Sequence, residues 1–131
     1  MADAASLDAM AHRHGLALVV QFGSTIAGPV HPESDVDIGV LLGRPQLSWA
    51  EEAELRADLQ GLFPGREVDL VILDHADPLL LRRVSEGGRL LWGSPQRFGE
   101  WRMYAYRRYH DHRPYLALER AFVGRRLGEE R

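Results

Sequence analysis

Cysteine and lysine are both absent from this sequence of 131 residues. Without cysteine the chain can form no disulfide and offers no thiolate ligand, so disulfide-stabilised scaffolds and zinc–thiolate sites are excluded. Long apolar runs are also missing, since none approaches the roughly 20 residues that span a bilayer. The first residues have neither a basic start nor an apolar core, so they do not resemble a signal peptide. We therefore expect a soluble, cytoplasmic protein that does not associate with membranes.

The composition is that of a globular protein, with 45% apolar and 27% charged residues. The length suits one domain with a core of useful size. The sequence contains no internal repeat, no low-complexity segment and no linker long enough to divide it. We therefore predict a single domain over residues 1–131, with a helical C-terminal segment over about residues 95–131.

Positive charge is unevenly distributed, although the net charge is only −3. Residues 1–96 carry 7 arginines and 14 acidic residues, whereas residues 97–131 carry 9 arginines and 5 acidic residues. A solvated basic helix and a docking surface for an acidic partner or RNA both fit this pattern. The mildly acidic total argues against stable binding to nucleic acid. This charge distribution is compatible with either a homo-oligomer or a hetero-oligomer.

Apolar runs bounded by turn residues predict strands that begin at Leu16, Ser34 and Glu67. The third of these strands is expected to be central in the sheet. Helix signals surround the strands, and a break in the last helix is expected near Pro114. The first helix is predicted over Ala5 to His14 with Ser6 as its N-cap, and the next two helices are predicted to start after Ser48 and Asp77. The second helix is expected to turn a stripe inward that consists of Trp49, Ala53, Leu55, Leu59 and Leu62. The sequence thus predicts an α/β fold.

Two aspartates inside the second strand are the first candidate functional residues. Asp35 and Asp37 are two positions apart, so in a strand they point to the same side. Gly39 follows on that face and is expected to leave it open. Neighbouring carboxylates repel each other, and burying them is costly unless a cation lies between them. Magnesium prefers oxygen ligands and is commonly bound by one or two carboxylates together with substrate phosphates.

Gly23 and Ser24, which end the first strand, complete the pattern. Glycine lets the backbone approach a phosphate closely, and a serine hydroxyl can hold phosphate oxygens. Asp69, in the third strand, supplies a third carboxylate. Together these residues have the parts of a two-metal phosphoryl-transfer site. Asp35, Asp37 and Asp69 would bind the metal ions, and Asp69 would also accept the proton of the nucleophile.

In this arrangement the sequence resembles the minimal nucleotidyltransferases (MNT) of the polymerase β-like nucleotidyltransferase superfamily. Gly23-Ser24, ten further residues, Asp35-x-Asp37 and the later Asp69 match the family's motif position by position. The resemblance implies a nucleotidyltransferase fold of the α+β type. In that fold helices flank a small mixed sheet, and the C-terminal helix is long. It also implies that Asp35, Asp37 and Asp69 are catalytic metal ligands, that Gly23 and Ser24 bind the nucleotide, and that Mg²⁺ and ATP are used.

The same resemblance implies a partner and a role. Such proteins transfer AMP from ATP, and many are antitoxins that modify a tyrosine of a helical HEPN toxin. One departure is that an arginine common after Gly-Ser in the family is absent here, where the chain reads Thr25-Ile26-Ala27-Gly28. Two alternatives therefore stay open: an antitoxin that neutralises its partner by binding with little or no catalysis, and nucleotidyl transfer to a small molecule.

Overall fold

The computed structural model describes the backbone of residues 3–23 and 35–129 and the side chains of residues 3–23 and 35–112. Four helices and four strands are formed within these ranges. Along the chain they are α1 (Ala4–Arg13), β1 (Leu16–Phe22), β2 (Val36–Leu42), α2 (Trp49–Leu62), β3 (Val68–Ile72), a 3₁₀ turn (Leu73–His75), α3 (Pro78–Gly87), β4 (Arg89–Gly93) and α4 (Pro95–Glu129).

The four strands form one mixed sheet in the order β3-β2-β1-β4. β1 pairs antiparallel with both β2 and β4, whereas β2 and β3 run parallel. The expectation that the strand carrying Asp69 is central was wrong, because β3 lies at the edge of the sheet. The chain leaves β3 through the 3₁₀ turn and α3, and its next strand pairs with β1 at the opposite edge.

Each face of the sheet is covered by a different pair of helices. Leu7 and Met10 of α1 and Leu55 and Leu59 of α2 pack in one apolar cluster with alternate residues of β2. On the other face, residues of α3 and α4 form a second cluster with β1 and the 3₁₀ turn. The members of that cluster are Leu18, Val20, Phe22, Leu73, Leu81, Val84, Trp101 and Ala105. Apolar burial on both faces explains the near-continuous apolar sequence of β1.

Capping residues set the helix starts, as the sequence indicated for α2 and α3. Ser48 and Glu51 form a capping box at α2, and the Asp77 side chain accepts a hydrogen bond from the Leu80 backbone N–H at α3. The first helix, α1, lies within one residue of its predicted range, but the predicted Ser6 N-cap was wrong, since the N-cap residue is Asp3.

The inward side of α2 differs from the prediction in its first turns only. Trp49 is 95% exposed, and Ala53 is exposed as well. Leu55 and Leu59 are fully buried and Leu62 packs against the same cluster, so these three predicted positions are confirmed. Only the N-terminal part of the predicted stripe, Trp49 and Ala53, was therefore wrong.

The last helix, α4, continues from Pro95 to Glu129, so the predicted break near Pro114 was wrong. Proline costs a helix about 3 kcal/mol in its interior, which helix-forming residues on both sides can offset. At 1.5 Å per residue, these 35 residues extend over about 50 Å. Among the described helices none combines the length and the apolar character needed to cross a membrane.

Candidate active site

Asp37 and Asp69 lie side by side on neighbouring strands. In the parallel pairing of β2 with β3, Asp37 is the register partner of Asp69. Adjacent strands are about 4.8 Å apart, and partners in register share a face of the sheet. The structure therefore brings together two of the three predicted carboxylates, Asp37 half-buried and Asp69 exposed.

Asp35 directly precedes β2 and is exposed. It lies two residues before Asp37, and its negative charge raises the pKa of Asp37. The charges of Asp35 and Asp69 thus both act on Asp37 at the start of the β2–β3 pair. The predicted strand start at Ser34 lies outside the described residues.

The pKa of the Asp37 carboxyl is raised above its ordinary value. Burial is the largest cause, the Asp69 carboxylate is the next, and Asp35 adds to both. The guanidinium of Arg83 acts in the opposite direction and lowers this pKa. Desolvation and like charges both disfavour the ionised carboxylate, and a nearby cation would favour it. The arrangement therefore has the electrostatics of a cation site.

Gly23, which directly follows β1, lies against the Asp37 carboxylate. Its neighbour Phe22 is the register partner of Asp37 in the β1–β2 pairing. Gly23 has φ of 88°, and a Cβ atom built on it would lie 2.1 Å from Asp37 Oδ2. Any side chain at this position would thus collide with the carboxylate and strain the backbone. The other predicted nucleotide-binding residue, Ser24, lies outside the described residues.

Two adjacent arginines on α3 have different surroundings. Arg82 donates hydrogen bonds to Glu86 Oε1 at 2.9 Å and to the Tyr109 hydroxyl at 3.0 Å. Arg83 is exposed, and its charge acts on Asp37. The sequence alone did not separate these neighbours. Consecutive residues of a helix point in different directions, so Arg82 is bonded to Glu86 and Tyr109 whereas the charge of Arg83 acts on Asp37.

The face beyond the carboxylates is less open than the sequence suggested. A Cβ atom at Gly39 would lie 2.9 Å from Leu73 Cδ2, so the side chain of Leu73 fills the expected gap. Asp74 then accepts a hydrogen bond from the Leu42 backbone N–H at 3.0 Å, which ties the 3₁₀ turn to the end of β2. The sequence did not indicate either contact, because both depend on how the 3₁₀ turn after β3 packs against β2.

The donor set suits a hard cation such as Mg²⁺. Asp35, Asp37 and Asp69 offer only carboxylate oxygens, the ligand type that Mg²⁺ prefers. Within the described part of the chain, no three Asp, Glu or His side chains are close enough to form a complete metal site by themselves. Mg²⁺ sites commonly obtain the rest of their ligands from substrate phosphates and water, so this arrangement fits a metal that is bound together with a nucleotide.

Comparisons with known proteins agree with this geometry. A family model described as "Polymerase beta, Nucleotidyltransferase" matches residues 7–97, which include the three aspartates. The protein adenylyltransferase MntA of Shewanella oneidensis is 37% identical over 81 residues, which are 62% of this chain and 57% of that protein. The chain thus spans just over half the length of this curated relative.

Solved structures match over more of the chain. A chain in a mutant of the toxin–antitoxin MntA-HpeT has a TM-score of 0.75 and 25% identity, with 92% of this chain and 98% of that chain covered. A chain in the complex of a tri-AMPylated Shewanella oneidensis HEPN toxin with MNT antitoxin has a TM-score of 0.69 and 24% identity, with 92% of this chain and 95% of that chain covered. At this identity, the match to the second complex supports the fold alone. Together these matches confirm the expected fold class, and the family match over residues 7–97 shows that the chain belongs to the polymerase beta nucleotidyltransferase family.

Proposed function

We propose that this chain transfers AMP from ATP to a tyrosine hydroxyl of a HEPN toxin and thereby acts as its antitoxin. The observation that carries the proposal is the register pairing of Asp37 with Asp69, with Asp35 beside them and Gly23 against Asp37. The protein adenylyltransferase named above is 37% identical where it matches, and the toxin–antitoxin MntA-HpeT shares the fold, which supports the same role here.

In the proposed reaction the acceptor hydroxyl oxygen attacks the α-phosphorus of ATP. A new P–O bond forms to the acceptor, the bond between the α-phosphorus and the bridging oxygen breaks, and pyrophosphate leaves with the bonding electrons. Magnesium held by the carboxylates would offset the charge of the phosphates and polarise the reacting oxygens. Asp69, on the exposed edge strand, would accept the proton of the hydroxyl.

Other residues of the chain would position the nucleotide. Gly23 keeps the end of β1 free of a side chain, so its backbone can approach the phosphates closely. Ser24 is proposed to hold phosphate oxygens beside it. Arg83 would contribute positive charge from α3, in place of the arginine that is missing after Ser24.

The test is transfer of labelled AMP from ATP, with Mg²⁺, to the product of the neighbouring gene if that product is a HEPN protein. Replacing Asp37 or Asp69 by asparagine should lower the transfer rate about a thousandfold or more, since each loss removes several kcal/mol of transition-state stabilisation. Asp58→Asn is the matched control and should retain transfer at temperatures where it is folded. Full labelling by both site variants would contradict the proposal.

A second candidate is an antitoxin that neutralises its partner by binding alone. Part of α4 favours it, because Met103, Tyr104 and Tyr106 are exposed and arginines lie among them. Tyrosine, methionine and arginine are enriched in protein interfaces. An Asp35→Asn and Asp37→Asn double variant that still suppresses toxicity fully in cells would favour binding over catalysis.

A further inference from the structure

The helices on the two sides of the sheet differ in charge. α1 and α2 together carry two arginines and five acidic residues, whereas α3 and residues 95–112 of α4 carry six arginines and three acidic residues. Both arginines of α1 and α2 form ion pairs with carboxylates of α2. Of the other six arginines, only Arg82 has an ion-pair partner among the side chains that the structure describes. The side formed by α3 and α4 therefore presents positive charge that no described carboxylate neutralises.

Exposed apolar and aromatic side chains are concentrated on the same side of the sheet. Of the five large ones in the described part of the chain, Leu79, Met103, Tyr104 and Tyr106 belong to α3 and α4. The fifth, Trp49, begins α2. Methionine, tyrosine and arginine are enriched in protein interfaces, and a contiguous exposed apolar patch usually marks an interaction site. Charge and apolar exposure thus point independently to one side of the molecule.

A groove of about 340 Å³ lies between α3 and α4. We call it the α3–α4 groove, and it is lined by Ser85, Glu86, Gly99, Arg102, Met103 and Tyr106. Gly99 leaves the groove open, because a Cβ atom built there would meet nothing within 4 Å. The carboxylate of Glu86 is already ion-paired with Arg82 at 2.9 Å. The groove therefore offers apolar and aromatic surface beside the positive charge of Arg102.

Helix α3 connects this groove with the candidate active site. The charge of Arg83 acts on Asp37. Glu86, which lines the groove, is three residues further along the same helix, about 4.5 Å along its axis. A protein bound in the groove would thus contact the helix that borders the carboxylates. Holding an acceptor beside the reacting groups raises its effective concentration there.

We infer that the α3–α4 groove and the arginines around it bind the acceptor protein, which presents an acidic surface and one apolar side chain that enters the groove. This inference rests on the proposed function, because it assigns a docking surface to the same acceptor. An acidic protein fits better than RNA, since Met103 and Tyr106 line the groove and the whole chain has a net charge of −3. Charge complementarity speeds the encounter, and a buried apolar contact supplies much of the affinity.

The first experiment fills the groove without weakening the helix. Gly99→Leu places a branched side chain in the groove and raises helix propensity, so this variant should fold at least as well as the parent chain. Gly61→Leu is the matched control, because Gly61 lies in α2 and a Cβ atom there would also meet nothing within 4 Å. Calorimetry without ATP measures the affinity for the HEPN protein encoded by the neighbouring gene. Gly99→Leu should weaken it about tenfold or more, and Gly61→Leu should leave it unchanged.

The second experiment reverses one charge on each side of the sheet. Arg102→Glu should weaken binding of the same HEPN protein about tenfold, chiefly through slower association, and added salt should narrow the difference. Arg56→Glu on α2 should leave the association rate unchanged. In the transfer assay, Arg102→Glu should raise the KM for the acceptor protein about tenfold. It should leave kcat and the affinity for ATP with Mg²⁺ unchanged, because the lost contact holds the acceptor and not the reacting groups.

Three results would overturn the inference. The first is equal affinity of Gly99→Leu and Gly61→Leu for the HEPN protein. The second is a change in self-association of Gly99→Leu in analytical ultracentrifugation with unchanged HEPN binding, since the groove would then hold a second copy of the chain. The third is that Arg102→Glu weakens binding of a uridine oligonucleotide but not of the HEPN protein, since this side of the molecule would then be an RNA site.

The docking surface and the proposed reaction can fail separately. If Gly99→Leu abolishes binding of the HEPN protein but the parent chain transfers no AMP to it, the docking surface stands and the assigned reaction falls. If Gly99→Leu transfers AMP with the KM of the parent chain, the reaction stands and the docking surface falls.

Discussion

Asp37 and Asp58 are both partly buried aspartates, yet their surroundings shift their pKa values in opposite directions. The pKa of Asp37 is raised by burial and by the carboxylates of Asp69 and Asp35. The pKa of Asp58 is lowered, chiefly by its hydrogen bond with His14 and also by Arg13. One carboxylate lies among like charges, and the other lies between two basic side chains.

The difference separates a structural carboxylate from a functional one. Asp58 on α2 accepts hydrogen bonds from the end of α1, and its partner His14 is 6% exposed. That contact is complete within the chain and joins the two helices on one face of the sheet. Within residues 3–23 and 35–112, Asp37 has no comparable set of hydrogen-bond donors, and the carboxylates near it favour the binding of a cation. Unfavourable electrostatics retained at a cleft are typical of binding and catalytic sites.

The largest expected contrast in stability comes from replacing each of these aspartates by asparagine. At pH 7, Asp58→Asn should lower the free energy of unfolding by about 1.5–3 kcal/mol, the usual contribution of hydrogen bonds to a charged group. Asp37→Asn should raise it instead, because the substitution removes repulsion from Asp69. Urea denaturation of the two variants beside the parent chain measures both changes.

The pH dependence of these two effects follows from the pKa directions. The lowered pKa of Asp58 gives stability that is present above the ordinary aspartate value of 3.8 and is lost as the pH falls through the folded-state value. The raised pKa of Asp37 means that ionisation costs stability as the pH rises from 3.8 through its higher folded-state value. Both variants should therefore approach the parent stability in acid. A stabilised Asp58→Asn or a destabilised Asp37→Asn at pH 7 would break the comparison.

The next contrast concerns two glycines with similar backbone conformations. Gly23 and Gly65 have φ of 88° and 81°, but a Cβ atom at Gly65 would meet nothing within 4 Å. Gly65→Ala should therefore cost only the backbone strain, about 1 kcal/mol. Gly23→Ala should cost about 1–2 kcal/mol more, because its methyl group collides with the Asp37 carboxylate. Thermal unfolding compares them, and equal losses would mean that the close approach to Asp37 does not matter for stability.

The smallest expected contrast separates Arg83 from Arg82. Arg83→Ala removes the cation that lowers the pKa of Asp37. The loss of AMP transfer in acid, which we call the acidic limb of the rate profile, should therefore move to higher pH. The same substitution should weaken ATP binding about threefold to tenfold. Arg82→Ala loses its bonds to Glu86 and Tyr109 and should leave the acidic limb unmoved. Rate profiles between pH 5 and 8 distinguish them, and identical profiles would show that Arg83 is not the relevant charge.

The sequence alone predicted those features of the site that depend on residues close together in the chain. Asp35 and Asp37 are two apart in one strand, so their common face follows from local geometry. Asp69 could be named from its motif, but only the pairing of β2 with β3 placed it beside Asp37. The edge position of β3 depends on strand order, which no local pattern encodes. The assignment of residues 1–131 to one domain stays a prediction, and so does the cytoplasmic location.

Local rules therefore determined the elements: alternation marked the strands, capping residues marked α2 and α3, and glycine at position 23 marked a close approach of backbone. Tertiary structure decided what those elements bring together. It turned Trp49 outward, filled the space above Gly39 with Leu73, and separated Arg83 from Arg82. The physical reason is the separation along the chain over which each interaction acts. Capping and alternation act between residues a few positions apart, whereas packing and charge act between residues that become neighbours only in the folded sheet.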